Sequence, residues 1–383
     1  MTAPQLPLFP ATTVGSWPRP PELLRAQRAK RRGELDDAAF QAIADRAVAE
    51  LLARQEDVGL DLVTDGEQRR DNFFCFVAEK LDGVRLMTLA EMLDVVEDKA
   101  GFERILRALD VPSYAISNAV CVGRIARRRP LAVDELAFAR RHTTRPIKVA
   151  LPGPYLLTRA MYVPSVTSPA YATKEELGDD VVRVLRAEVE ELAAAGAAFV
   201  QLDEPVLTEL VFTQGETRTF MCAALAARKD PTEELELAVE LVNRVVDGVD
   251  SVRIGLHVCR GNWSPDESTL LRGGYHPLRP YFERMNVRQL VLEYATERAG
   301  DLMAFGAKEL GLGVVNPRTP TVETPAEIRR AVEAALRYYP AARLFLNPDC
   351  GFGTFANRPV NGTDTALAKL RSLVEAARML RRG

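Results

Sequence analysis

Eight short runs rich in apolar and β-branched residues punctuate the chain, and most end in a polar or turn-forming residue. In order they are ATTVGS ending at Ser16, LDLVTDGE at Glu67, IKVALPGP at Pro154, AAFVQLDEP at Pro205, VRIGLHVC at Cys259, RQLVLEYA at Ala295, GLGVVNP at Pro317 and ARLFLNPDC at Cys350. Between them lie stretches with amphipathic helical spacing, such as Asp36 to Val58, Lys174 to Ala195, Thr232 to Val246, Thr324 to Tyr338 and Thr363 to Arg382. Alternating strand and helix patterns imply parallel strands joined by crossovers. Eight such units predict an α/β fold, a (β/α)8 TIM barrel that takes residues 1–383 as one catalytic unit. An open doubly wound sheet is the alternative. Such sheets carry a glycine-rich phosphate turn after the first strand, and TVGSWPRP is not one.

Two stretches depart from the repeat. Residues 72–145 are too long for a single crossover, with a helical pattern from Leu89 to Leu109 and a β-like one from Tyr114 to Ile125, so an insertion between strands 2 and 3 is expected. The loop from Arg260 to Pro280, rich in Gly, Pro, Ser and Asp, reads either as a substrate lid or as an ordinary surface connection.

Composition adds exclusions. With 383 residues, 47% hydrophobic, 27% charged and a formal net charge of -3, the chain has no global attraction for nucleic acid or a membrane surface. The basic run from Ala126 to Pro130 reads as a solvated face. Five cysteines scattered through a long chain do not form a disulfide framework, and they suit a reducing, cytoplasmic compartment. The N-terminus lacks a basic region followed by an apolar one, and nowhere is there an uncharged apolar stretch of about 18 residues.

The chemistry collects where active-site groups of such barrels sit, at the C-terminal ends of the strands: Ser16, Glu67, Asp203, His257, Cys259, Glu293 and Cys350. His257 and Cys259, two apart on a strand, face the same way. With Cys350 they form a soft ligand set suited to Zn2+, and Glu293 is a further ligand or a gate. Hydrolytic zinc sites favour nitrogen and oxygen ligands, whereas two thiolates suit a soft partner. A substrate thiol bound to such an ion loses its proton near neutral pH and stays nucleophilic, which favours S-alkylation. A structural zinc closed by Glu293 is the competing reading. Cys75, Cys121 and Cys222 have no ligand-type neighbour at metal-site spacing and read as small buried hydrophobes, and His276 reads as incidental. Of the adjacent acids Asp203 and Glu204, strand alternation turns only one toward the active centre.

The segments TTVGSWPRP, DGEQRRDNF, LPGPYLLTRAMY, FVQLDEP, GLHVCRGN, LEYA and LNPDCGFGT together resemble the catalytic half of cobalamin-independent methionine synthase, from about Thr12 to Arg382 and in a short single-barrel form. The resemblance implies a zinc enzyme that methylates the sulfur of homocysteine. It implies His257, Cys259 and Cys350 as zinc ligands, Glu293 as the glutamate that ligates or is displaced by substrate, and Ser16, Glu67 and Asp203 as contacts of the amino-acid portion. Where the full-length enzymes carry a histidine acting on the folate, this chain reads VVNPRTPTVE, and LPGPYLLTRAMY lacks the tryptophan that stacks on the pterin. Both departures concern the methyl donor, so methyl-tetrahydrofolate and a methylated corrinoid, free or on a partner protein, both stay open. A related family with the same fold opens epoxides with coenzyme M. That reading would need Arg19, Arg69 or Arg70 for the sulfonate, against the acids Glu67 and Asp203. Uroporphyrinogen decarboxylase is a more distant, metal-free relative, and a zinc-storing module is the non-enzymatic reading.

Overall fold

The structure is a computed structural model that describes residues 5–96, 99–100, 103, 117–212, 230–356 and 359–382. Six parallel strands lie side by side in chain order: β3 (Lys148–Pro152), β4 (Phe199–Asp203), β5 (Arg253–Val258), β6 (Gln289–Glu293), β7 (Glu309–Val315) and β8 (Leu344–Pro348). β1 (Leu81–Thr88) and β2 (Ser117–Arg127) pair antiparallel in a separate sheet inserted ahead of β3.

The first two apolar runs close the ring as extended segments. Ala11 pairs in parallel with Leu346 of β8, and Val63 with Ile147 beside β3. Leu346 N–H donates to the Pro10 carbonyl at 2.9 Å, Asp61 N–H to that of Ala11 at 2.9 Å, and Lys148 N–H to that of Val63 at 2.9 Å. Pairing here is sparse because side chains take ladder positions. The Gln55 amide donates to the Thr64 carbonyl at 2.7 Å and accepts from its N–H at 3.0 Å, while the Asp61 carboxylate accepts from Ala11 N–H at 2.8 Å. The expected (β/α)8 barrel with its insertion is therefore the observed fold.

The surrounding helices start where capping residues stand. Asp36 caps Asp37–Val58, Thr173 caps Lys174–Ala194, Asp230 caps Pro231–Val246, and Thr324 with Glu327 forms a capping box at Pro325–Ala335. Their apolar faces join one continuous core, except that Phe40, Ala44 and Ala47 pack with Leu23 and Ala26, while Val14, Leu62, Ala198, Phe199, Val291 and Phe345 form a separate cluster fed largely by the strands. No helix among the described residues is long and apolar enough to cross a membrane.

In the insertion, the helix expected from Leu89 is described over Leu89–Val95, and most of its predicted continuation to Leu109 lies outside the described residues. Strand β2 covers the β-like stretch from Ser117 onward. Glu188, fully buried on Lys174–Ala194, ties this region to the barrel. Its carboxylate accepts from Leu131, Ala132 and Val133 N–H at 2.7, 2.6 and 3.0 Å and pairs with Arg127 at 2.7 Å. Glu188→Ala would strand the buried Leu131 and Ala132 donors, while Arg127 keeps its pair with Glu191 at 2.5 Å, so a loss of about 3 kcal/mol in unfolding free energy is expected by guanidinium titration.

Candidate metal centre

Parallel register places Asp203, the last residue of β4, directly across from His257 on β5. Strand alternation turns His257 and Cys259 into the same space, and the turn after β8 brings Cys350 to meet them. The nitrogen and sulfur ligand atoms of His257, Cys259 and Cys350 all lie within 4.8 Å of one another, and the three residues are buried. Ligands of a tetrahedral zinc ion stand roughly 3.5 Å apart, so the cluster needs little contraction to hold one.

The histidine tautomer is set by its neighbour. Nδ1 lies 3.0 Å from Asp203 Oδ1, which also accepts from the Gln201 amide at 2.7 Å. Nε2 is buried without a hydrogen-bond partner among the described residues. With Nδ1–H donating to the carboxylate, the lone pair of Nε2 is free for a metal, the usual carboxylate–histidine–metal arrangement. An orphaned imidazole nitrogen beside two thiols is a donor set that fits Zn2+.

The three side chains share charge. The Cys259 thiol is drawn below the ordinary thiol range, first by its hydrogen bond with Cys350, and the same contact pushes the Cys350 thiol up. Burial opposes a charge on His257, but the Asp203 hydrogen bond and the Cys259 charge raise it to about 9. A metal entering such a site displaces protons from it.

Glu293 ends β6 fully buried and is not part of the three-ligand group. Its carboxylate accepts from Arg260 N–H at 3.0 Å, from the Asn262 amide, and from the Arg298 guanidinium at 3.2 Å. Asn262 in turn accepts from Arg298 at 3.3 Å and Arg318 at 3.1 Å, while Arg318 pairs with Glu267 at 2.7 Å. The start of the Arg260–Pro280 loop is thus pinned to the rim, with Asn262, Trp263 and Ser264 buried. His276 is exposed in that loop. Cys75 and Cys121 are buried apart from the site, donating to Ser117 and Gly123 carbonyls at 3.0 Å each, and Cys222 lies outside the described residues.

Ser16 and Glu67 join Asp203 and the three ligands around a cavity of about 40 Å³, together with Phe73, Asn262 and Thr354. Among the described residues no lysine or arginine lines it. Glu67 sits in the left-handed region at φ 54°, its N–H held by Asp65 Oδ1 at 3.0 Å. Burial, opposed by Arg70, pushes its carboxyl up to about 7. Two glycines make these placements possible: a Cβ on Gly15 would lie 2.3 Å from Glu67 Oε1, and one on Gly351 would lie 2.1 Å from Ser16 Oγ.

Three contributors escape a reading of the sequence. Asp349 Oδ1 accepts from Tyr294 and Ala295 N–H at 3.0 Å each and fixes the approach to Cys350. Asn262 bridges Glu293 to two arginines, and Phe73 lines the cavity. Glu204, the other acid of QLDEP, instead caps the helix Pro154–Met161 through Tyr155 and Leu156 N–H at 2.7 and 2.9 Å. Only the alternation of adjacent acids on a strand signalled that division.

Residues 9–379 match the family model described as the catalytic domain of cobalamin-independent synthase. A methionine synthase from Thermococcus kodakarensis is 31% identical over 384 residues, covering 99% of this chain and 95% of the relative. A 5-methyltetrahydropteroyltriglutamate–homocysteine methyltransferase from Mycolicibacterium paratuberculosis is 29% identical, covering 99% of this chain and 44% of the relative. Among solved structures, a B12-independent methionine synthase from a Shewanella species in complex with selenomethionine superposes with a TM-score of 0.72 at 22% identity, covering 98% of each chain.

Proposed function

This chain belongs to the family of cobalamin-independent synthase catalytic domains, and from that premise we propose that it transfers a methyl group to the sulfur of homocysteine, giving methionine, at a zinc ion held by His257, Cys259 and Cys350. The observation that carries this reading is the partnerless Nε2 of His257 beside two thiols, in a cavity it shares with Glu67 and Asp203. A zinc ion bound there would supply the Lewis acidity that deprotonates a substrate thiol near neutral pH. Asp203 holds His257 in the ligating tautomer. Glu67 and Asp203 receive the substrate ammonium, Ser16 contacts the amino-acid end, and Glu293 moves toward or away from the ligand group as substrate enters.

The methyl donor is a methyl-folate or a methylated corrinoid. The mycobacterial relative's name supports the first. Parallel assays of methionine formation from methyl-tetrahydrofolate and from methylcobalamin separate the two. X-ray absorption at the zinc edge tests the acceptor side: homocysteine is expected to add one sulfur to the two supplied by the protein, and an unchanged sulfur count would sink the mechanism.

Opening of epoxides with coenzyme M is the second reading, and the charges at the cavity weigh against it. Arg19 donates to the carbonyls of Gly353, Glu67 and Arg70 at 2.5, 2.8 and 2.9 Å. Arg70 is paired with Glu135 at 2.7 Å, and Arg69 with Asp45 at 2.5 Å. A sulfonate would face carboxylates instead of these cations. Calorimetry with homocysteine and coenzyme M side by side decides between the two thiols.

A further inference from the structure

Asn262, on the loop after β5, is buried and lines the cavity beside His257, Cys259 and Cys350. Glu293 is neither among the described lining residues nor one of the three grouped ligands. The two side chains touch, the Asn262 amide donating from Nδ2 to Glu293 Oε1. Asn262 therefore joins the cavity wall to the carboxylate at the end of β6.

The direction of that amide is fixed from its other end. Asn262 Oδ1 accepts from Arg298 Nη2 at 3.3 Å and from Arg318 Nε at 3.1 Å, cations carried by the loops after β6 and β7. Guanidinium groups only donate, so the amide oxygen must face them and its NH2 must face Glu293. Both arginines are buried and held in place. Arg298 donates to the Gly261 carbonyl at 3.1 Å and to Glu293 Oε2 at 3.2 Å, and Arg318 pairs with Glu267 at 2.7 Å. Glu293 Oε1 also accepts from Arg260 N–H at 3.0 Å. Arg260 and Arg298, these other partners of the carboxylate, are not among the described cavity-lining residues. Of the groups that hold Glu293, the Asn262 amide is the one set in the cavity wall.

We propose that Asn262 is a positioning residue that sets the resting place of Glu293, keeping the carboxylate off the metal so that a coordination position stays open for the substrate thiol. It acts through Glu293 and ligates nothing itself. This deepens the homocysteine reading and rests on it. A carboxylate is a good zinc ligand, and moving onto the ion means giving up its hydrogen bond to a buried amide. Without that amide Glu293 becomes a fourth protein ligand. Zinc is then held more tightly, and the thiol meets a closed site.

The experiment measures two affinities on the full chain: that for zinc, by competition with a chelator, and that for homocysteine, by calorimetry on the zinc-loaded enzyme. In Asn262→Ala the first is expected to rise and the second to fall, each roughly tenfold. General damage to the site would lower both. In a Glu293→Gln background the alanine substitution should change neither affinity by more than about threefold, because the group that moves has lost its charge. Asn262→Asp, which has the same shape and can keep both arginines, is read in the same way should the alanine variant not fold. A plain charge effect of the aspartate would persist beside Glu293→Gln, whereas an effect through Glu293 vanishes there. Two affinities that fall together, that stay unchanged, or that shift equally with and without Glu293→Gln overturn the proposal. A wild-type enzyme that binds zinc and no homocysteine overturns the homocysteine reading instead, and the zinc measurement alone then decides the role of Asn262.

Discussion

Replacing Cys350 with Ser is expected to strip the zinc from the protein and lower turnover by about a thousandfold or more, while the fold persists. The substitution is nearly isosteric and Cys350 lies at the cavity wall, 8% exposed, so packing changes little. The ligand chemistry changes greatly. A thiolate is a soft, anionic donor, and the alcohol that replaces it stays protonated at any working pH. If about 12 kcal/mol of zinc binding is spread over the three protein ligands, losing one weakens affinity by about 4 kcal/mol, roughly a thousandfold. Turnover falls further, because stabilising charge at a reacting centre with a metal is worth several kcal/mol, and each 1.36 kcal/mol is tenfold in rate. Metal content after dialysis against a chelator, measured beside circular dichroism, checks this. Full zinc occupancy with unchanged rate would show that Cys350 is no ligand.

The meeting of His257, Cys259 and Cys350 was legible because its signal is local: two residues apart on an apolar run fixes a common face, and NPDCG ends another such run. The barrel was legible for a similar reason, since eight apolar runs survive as eight staves even where the first two pair by single bridges. What supports the ligands was not. Asn262 and Arg318 meet across 56 residues, and nothing in either segment announces the other. Glu67 was singled out at the end of the second apolar run, yet its left-handed backbone and its approach to Gly15 belong to tertiary structure. Lys148 looks in sequence like the flank of a strand, and only the folded barrel buries it beside the Phe199 ring.

Asp203→Asn is expected to separate the two duties that geometry gives this carboxylate. Oδ1 lies 3.0 Å from His257 Nδ1 and accepts from Gln201 at 2.7 Å, and an asparagine oxygen can accept both bonds, so the ring orientation survives. What is lost is the negative charge, and with it the electron density passed through the imidazole to the metal. Loss of such an outer partner lowers metal affinity by about 10–100-fold, so competition with a chelator should show a fall of that size. In the proposed reading the same charge also receives the substrate ammonium, so homocysteine binding should weaken by roughly another tenfold even at saturating zinc. Glu67→Gln supplies the contrast. Glu67 makes no hydrogen bond to His257, so its neutral variant should lose homocysteine affinity while keeping zinc affinity within about twofold. If Asp203→Asn left zinc affinity unchanged while weakening homocysteine to the same degree as Glu67→Gln, the carboxylate would be a substrate group alone. The hydrogen bond to His257 would then set the position of the ring without tuning the metal.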